Sequence, residues 1–271
     1  MEPDLRCPER RIRLLDDDRR LESFTSLLSH ERVPLTSFTL MGEAKRYFDR
    51  LQAMAAAATV EFAVHSFSHD TTQPASEDEV RRSWETFGDL WGTEPLGYRT
   101  PNCLIDERGI DTLARRGFLY DSSIVPSFRP DGYAYNNLRY ARTPFRFASD
   151  TASILELPVA CLNGVRLPFI FSYVKLFGLG AYRSALSLFD LPEVVVTYFH
   201  PYDLYADEIA ANIPGWKRYA HQRNGHRGLE LLGEVIALLK GRGYEFVLMG
   251  DLAKRYIGEP LPIERLSLAV A

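Results

Sequence analysis

Short apolar runs alternate with amphipathic stretches along almost the whole chain. Val60-Glu61-Phe62-Ala63-Val64 alternates as a half-buried strand does and delivers His65 at its end. Residues 12–15 form a short apolar run closed by Asp16-Asp17-Asp18, and residues 36–41 form another, stopped by Gly42. Residues 96–99 end in Arg99, residues 118–120 run into Asp121, and residues 154–157 add a further strand. Residues 194–199 deliver His200, and residues 244–249 make a closing strand. Between these runs the apolar spacing turns helical at residues 22–30, 44–58, 106–116 and 228–239. Ser76 with Glu79 three residues on is a capping box that opens a helix reaching about Leu90. Gly117 ends the helix before it, as a left-handed C-cap. Residues 127–149 hold Pro130, Gly132, Asn136, Asn137 and Pro144 and read as a long loop.

Strand and helix in strict alternation predict a largely parallel sheet in an α/β fold. No internal repeat, low-complexity tract or linker interrupts it, so one domain over residues 1–271 is expected. Pattern alone leaves an open doubly wound sheet and a closed barrel as alternatives. In both, chemistry gathers beyond the carboxyl ends of the strands. Asp16, Asp17, His65, Arg99, Asp121 and His200 all stand at strand ends, which argues for a single site.

Composition removes several classes. Hydrophobic residues make up 46% and charged residues 25%, ordinary for a globular protein, and a net charge of −4 gives no basic field for nucleic acid. Cys7, Cys103 and Cys161 are odd in number and widely spaced, which suggests reduced thiols, neither a disulfide framework nor a zinc knuckle. The first six residues are polar, without an apolar signal core, and no apolar run approaches the ~18 residues of a spanning helix. A cytoplasmic location is the expectation. The richest apolar stretch, residues 165–189, reads as core or subunit contact, or else as a surface for lipid or a lipid-linked substrate.

The candidate chemistry starts from His65 and His69. On a helical turn, residues four apart share a face, and two imidazoles there bind one metal ion such as zinc. A third ligand needs a carboxylate. Asp16-Asp17-Asp18 supplies adjacent acids whose mutual repulsion a cation would relieve. One would bind metal while its neighbour acts as general base. His200 is placed like a catalytic acid, and Arg99 like a cation that holds a carboxylate. His30, His221 and His226 lack strand-end placement and read as surface residues.

Taken in order, these segments resemble the NodB-homology polysaccharide deacetylases, the fourth carbohydrate esterase family, from about Ile12 to Met249. His65-Ser66-Phe67-Ser68-His69 fits the family's His-(Ser/Thr)-x-x-His motif, and Arg99-Thr100-Pro101 fits Arg-x-Pro. Tyr198-Phe199-His200 fits the final motif loosely, and Tyr120-Asp121-Ser122-Ser123 offers the aspartate of the fourth. The first motif departs: Leu14-Leu15-Asp16-Asp17-Asp18 stands where Thr-Phe-Asp-Asp-Gly is usual. The resemblance implies a distorted (β/α) barrel of about seven parallel strands. It implies a divalent metal, most readily zinc, held by Asp17, His65 and His69. Asp16 would be the base, oriented by Arg99, and His200 the acid, tuned by Asp121. A shifted register, Asp17 as base and Asp18 as ligand, stays open. Asn102 stands where an aromatic is usual, and its backbone N–H would still serve an oxyanion hole. Tyr202, beside His200, is a further substrate-binding candidate.

The implied reaction frees an amine and acetate, or formate, from an N-acylated sugar or glycan. Glu156-Leu157-Pro158, Leu167-Pro168-Phe169 and His200-Pro201-Tyr202-Asp203 look most like relatives in cell-envelope glycan assembly, which act on lipid-linked or nucleotide-linked sugars at the inner membrane face. Peripheral membrane contact would follow. Two alternatives stand beside this: an amidohydrolase acting on a non-sugar amide or ureide, and a silent member that only binds glycan.

Overall fold

The computed structural model describes residues 14–129, 135–205, 215, 219 and 222–265. Four parallel strands lead: β1 (Leu35–Thr39), β2 (Val60–Val64), β3 (Gly97–Tyr98) and β4 (Tyr120–Asp121). Then come β5 (Phe128–Arg129) and β6 (Tyr135–Asn136), a small antiparallel pair, followed by β7 (Phe145–Ala148), β8 (Ser153–Glu156) and β9 (Ile263–Arg265). The main sheet has seven strands in the order β1-β2-β3-β4-β8-β7-β9. All its pairs are parallel except β7 with β8. The α/β class and the largely parallel sheet are as the sequence pattern predicts, and its seven strands are as the resemblance implies. The antiparallel β7 was not foreseen, because it lies in the Pro- and Gly-marked stretch read as loop.

Register builds the functional rim. Thr39 pairs with Val64, Val64 with Tyr98, Tyr98 with Asp121 and Asp121 with Glu156. Each next residue continues the ladder. His65 N–H donates to the Thr39 carbonyl (2.9 Å), Arg99 N–H to Val64 (2.9 Å), Ser122 N–H to Tyr98 (3.0 Å) and Leu157 N–H to Asp121 (2.9 Å). His65, Arg99 and Ser122 are therefore neighbours along one edge of the sheet, at the carboxyl ends of its strands.

The helices are α1 (Asp18–Glu31), α2 (Met41–Ala44), α3 (Phe48–Ala57), α4 (Glu77–Trp91), α5 (Glu107–Arg116), α6 (Phe171–Phe177), α7 (Leu179–Ala185), α8 (Pro201–Leu204), α9 (Gly228–Gly241) and α10 (Met249–Arg255). Asp17, Ser76 and Asp106 cap α1, α4 and α5 by accepting backbone N–H groups, and left-handed Gly117 closes α5. The predicted helix over 44–58 is two helices, parted at residues 45–47. The main core runs from Leu14 and Phe24 through Val64, Ile110 and Phe145 to Leu239. Phe169, Ile170, Phe171, Val174 and Tyr182 are buried while Val165, Phe177 and Leu188 are exposed, so the 165–189 stretch packs inward only in part. No helix among the described residues is long and apolar enough to cross a membrane.

Two predicted strands form no regular ladder. Residues 194–199 make a single bridge, Val196 with Val159, and residues 244–248 pair with no strand among the described residues. A cavity of about 1380 Å³ lies between these segments and β1. The predicted first strand also fails where it is visible. Ile12 and Arg13 lie outside the described residues, while Leu14, Leu15 and Asp16 form a turn. The physical reason is local: Asp17 is the N-cap of α1 and Asp18 its first residue, where the partial positive charge of a helix N-terminus favours acids.

Candidate active site

His65 and His69 are buried side by side, ring centroids 5.4 Å apart. They sit on a loop, not on the helical turn expected, and Ser66 (φ 62°) and His69 (φ 61°) are left-handed. Such backbone must be held in place. From one side, Met41 and Gly42 N–H groups donate to the Ser66 and Phe67 carbonyls at 3.0 and 2.9 Å. A Cβ on Gly42 would sit 2.6 Å from the Phe67 carbonyl oxygen, so only glycine allows this approach. From the other side comes Glu79 of α4. Its carboxylate accepts from Phe67 N–H (3.0 Å), Ser68 N–H (2.9 Å) and the Ser68 hydroxyl (2.7 Å). The capping box is thus half realised: the Ser76 hydroxyl caps α4, while Glu79 is spent on the histidine loop.

His65 Nδ1 lies 2.7 Å from the Arg99 carbonyl, an acceptor, which puts the proton on Nδ1 and the lone pair on Nε2. That is the arrangement of a metal-ligating imidazole. No carboxylate among the described residues is gathered with this pair. Among the described residues no group of three or more His, Cys, Asp and Glu is gathered closely enough to hold an ion. Asp17 accepts from Arg20 N–H (3.1 Å) and faces its guanidinium at 3.6 Å. Asp16 accepts from the Tyr47 hydroxyl (3.3 Å), and Asp18 pairs with Arg50. The described residues supply two imidazoles and leave the metal site incomplete.

Arg99 is buried between aromatic faces, its guanidinium carbon 4.3 Å from the Phe38 ring centroid and 5.0 Å from that of Tyr198. Its Nε donates to the Ser122 carbonyl (2.8 Å) and Nη2 to Ser122 Oγ (2.6 Å), so its observed hydrogen bonds go to β4's end and not to Asp16. The Ser122 hydroxyl passes this on to the Leu157 carbonyl (2.6 Å). Beside it, Thr100 N–H donates to Ser123 Oγ (2.9 Å) and the Ser123 hydroxyl to Asp121 Oδ1 (2.7 Å). These chains fix the loop that carries Asn102, whose φ of 55° suits asparagine better than most residues.

Asp121 ends β4. It is fully buried against Glu156, its register partner, whose Oε1 accepts from Ile124 N–H (2.9 Å). Burial pushes Asp121 up to about 6, against the pull of hydrogen bonds from Glu156 and Ser123. Burial and the Asp121 charge hold Glu156 well above the usual carboxylate range. Two carboxyls this close share a proton. The sequence reading did not foresee this buried carboxyl pair; the signal was a lone charge inside the apolar run Ile154-Leu155-Glu156-Leu157.

His200 lies next to Asp203, with Nδ1 and Oδ2 3.4 Å apart. Tyr202 stacks on the His200 ring at 4.6 Å and 10°, and Tyr198 meets it edge-on at 5.5 Å. His65, His69, Arg99, Asn102, His200 and Tyr202 all line the large cavity. Asp16, Asp17 and Asp121 are not among its lining residues. Cys103 is buried beside Arg99 and Tyr198, and burial pushes its thiol up to about 11, an unreactive setting. His30 and His226 are exposed, as read; Cys7 and His221 lie outside the described residues.

Fold and rim together define an α/β protein with its polar groups collected at the carboxyl ends of a mostly parallel sheet. Residues 13–120 match the polysaccharide deacetylase family, and residues 122–252 match a domain of unknown function, DUF3473. The first segment thus carries a polysaccharide deacetylase match, and the NodB-homology resemblance read from the motifs is borne out. A peptidoglycan deacetylase-like protein (FGM2) of Gibberella zeae is 38% identical over 68 residues, which are 24% of this chain and 20% of that protein's length. Among solved structures, one assigned as a polysaccharide deacetylase from Mycobacterium smegmatis aligns with TM-score 0.58 at 22% identity, over 93% of this chain and 81% of the other. One assigned alike from Pseudomonas aeruginosa PAO1 gives 0.53 at 16%, over 88% and 73%. An allantoinase, Puue, gives 0.53 at 17%, over 88% and 72%. These likenesses establish the fold.

Proposed function

We propose that the chain removes an N-acyl group, acetyl first among candidates, from a sugar or glycan. The observation that carries this is the shared rim: the His65–His69 pair, Arg99 and His200 line one cavity, in a chain whose first 120 residues carry a deacetylase family match. We read His65 and His69 as the imidazole ligands of a divalent metal, zinc by preference, and Asp17 as the third. The base and ligand roles of Asp16 and Asp17 rest on the family resemblance alone.

The chain's own groups then divide the remaining work. Arg99, fixed by Ser122 and two aromatic faces, brings a permanent positive charge to the cavity. The backbone N–H near Asn102 would meet a developing oxyanion. His200 would give a proton to the leaving amine. A glycan of cell-envelope assembly is our proposed substrate class, handled on the cytoplasmic side. A substrate panel tests this: acetate release from free, nucleotide-linked and lipid-linked N-acetylhexosamines, against ammonia release from ureides. Ammonia without acetate would overturn the reading. The dispersal of Asp16, Asp17 and Asp18 onto Tyr47, Arg20 and Arg50 favours one second reading, a member that binds glycan without cleaving it.

A further inference from the structure

Behind His200 lies a charge pair that the family motifs do not include. Asp203 is fully buried, and Lys175, on α6, is 1% exposed. Lys175 Nζ lies 3.0 Å from Asp203 Oδ1. The other oxygen, Oδ2, accepts from His200 N–H (3.0 Å) and the Ser172 hydroxyl (2.9 Å), and it faces His200 Nδ1 at 3.4 Å. Lys175 is itself tied down, since its carbonyl accepts from Asn224 Nδ2 at 2.7 Å.

A buried ion pair gives little net stability, and well-packed apolar residues commonly do as well or better. Its placement against a ring nitrogen therefore calls for another account. We infer that Lys175 and Asp203 form a positioning pair that holds the His200 ring and sets its affinity for a proton, the part the resemblance implied for Asp121. The inference rests on reading His200 as the acid of the proposed reaction.

The charges explain why two residues are needed. Asp203 next to Nδ1 offers an acceptor for the proton on that nitrogen and leaves Nε2 as the nitrogen that can exchange a proton with substrate. Alone, a buried carboxylate would either take up a proton or lock His200 into a permanent ion pair. Lys175 prevents the first outcome and weakens the second. Burial would raise Asp203, but the hydrogen bond from His200 and the Lys175 charge outweigh it and hold the carboxyl well below the usual range. With neutral His200 the trio carries no net charge, and with imidazolium one positive charge. The ring is thus set to give and regain a proton. Among the described residues the phenols of Tyr198 and Tyr202 also face it, with Arg99 and Cys103 behind Tyr198.

Two substitutions of opposite sign test this, read by the NMR titration of the isotope-labelled His200 imidazole without substrate. Asp203→Asn keeps the shape and removes the charge. It should lower the His200 midpoint by about one to three units, the usual effect of one close charge. Lys175→Met should raise it. A purely structural pair would unsettle both variants without shifts of opposite sign. If Lys175→Met does not fold, Asp203→Asn carries the test. A His200 midpoint unchanged in folded Asp203→Asn overturns the inference. Acetate release is measured alongside. Activity without the shift removes the positioning pair and leaves the proposed function standing. The shift without activity on any N-acetyl glycan keeps the pair and removes the acid reading.

Discussion

Glu79→Ala is the substitution whose effect the histidine loop fixes most tightly. Glu79 accepts three hydrogen bonds from Phe67 and Ser68 and is 7% exposed. Charge-assisted bonds of this kind contribute about 1.5–3 kcal/mol each, and the released N–H groups would sit in a partly buried loop. Allowing for water reaching that loop, Glu79→Ala should cost about 3–5 kcal/mol, a large share of the ~5–15 kcal/mol stability of a domain. Glu79→Gln keeps an acceptor for the two N–H groups but loses the charge and the oxygen that accepts from the Ser68 hydroxyl, about 1–2 kcal/mol. Urea unfolding with unchanged m-value measures both. Zinc affinity should fall alongside, because Ser66 and His69 can leave their left-handed conformations once the clamp is gone. A loss within about 0.5 kcal/mol for Glu79→Ala, the range of ordinary surface changes, would refute the clamp.

Gly228→Ala should destabilise by about 1–3 kcal/mol, because the added Cβ would sit 2.5 Å from the Asp203 and Leu204 carbonyl oxygens. Since α8 must shift and carries His200 with it, kcat should fall more than KM changes; equal kinetics with normal stability would contradict this. Glu156→Gln tests the shared proton. Burial and the Asp121 charge hold Glu156 well above the usual carboxylate range, so it costs stability that grows as pH rises from that range toward its raised value. The variant should gain on the wild type across that interval in denaturant unfolding, and a constant difference would argue against proton sharing. Thiol reagents should leave folded Cys103 unmodified near neutral pH, its thiol standing at about 11. Rapid labelling in the native state would mean that the thiol is open and activated.

The strand-end logic was legible because parallel register is a local consequence of alternation. Val60–Val64 and residues 96–99 carry His65 and Arg99 to one rim. The helix caps Ser76 and Asp106 were equally plain. What escaped was decided by partners distant in sequence. Glu79 looked like half of a capping box, and only packing reveals that it serves a loop 11 residues earlier. Asp16-Asp17-Asp18 looked like a strand end, yet acids favour a helix start as well, and the helix took them. Lys175 and Glu156 are charges within apolar runs, but neither sequence position names its partner. The resemblance implied a tuning role for Asp121, but motif order could not show that its strand register sets it beside Glu156.

Metal content and acetate release, measured on the same preparation of the wild type and His65→Ala, test the central claim most directly. The account predicts a bound divalent ion and acetate release from an N-acetyl glycan in the wild type, both lost in His65→Ala. A wild-type protein that holds no divalent ion, releases no acetate and still binds the glycan would contradict it.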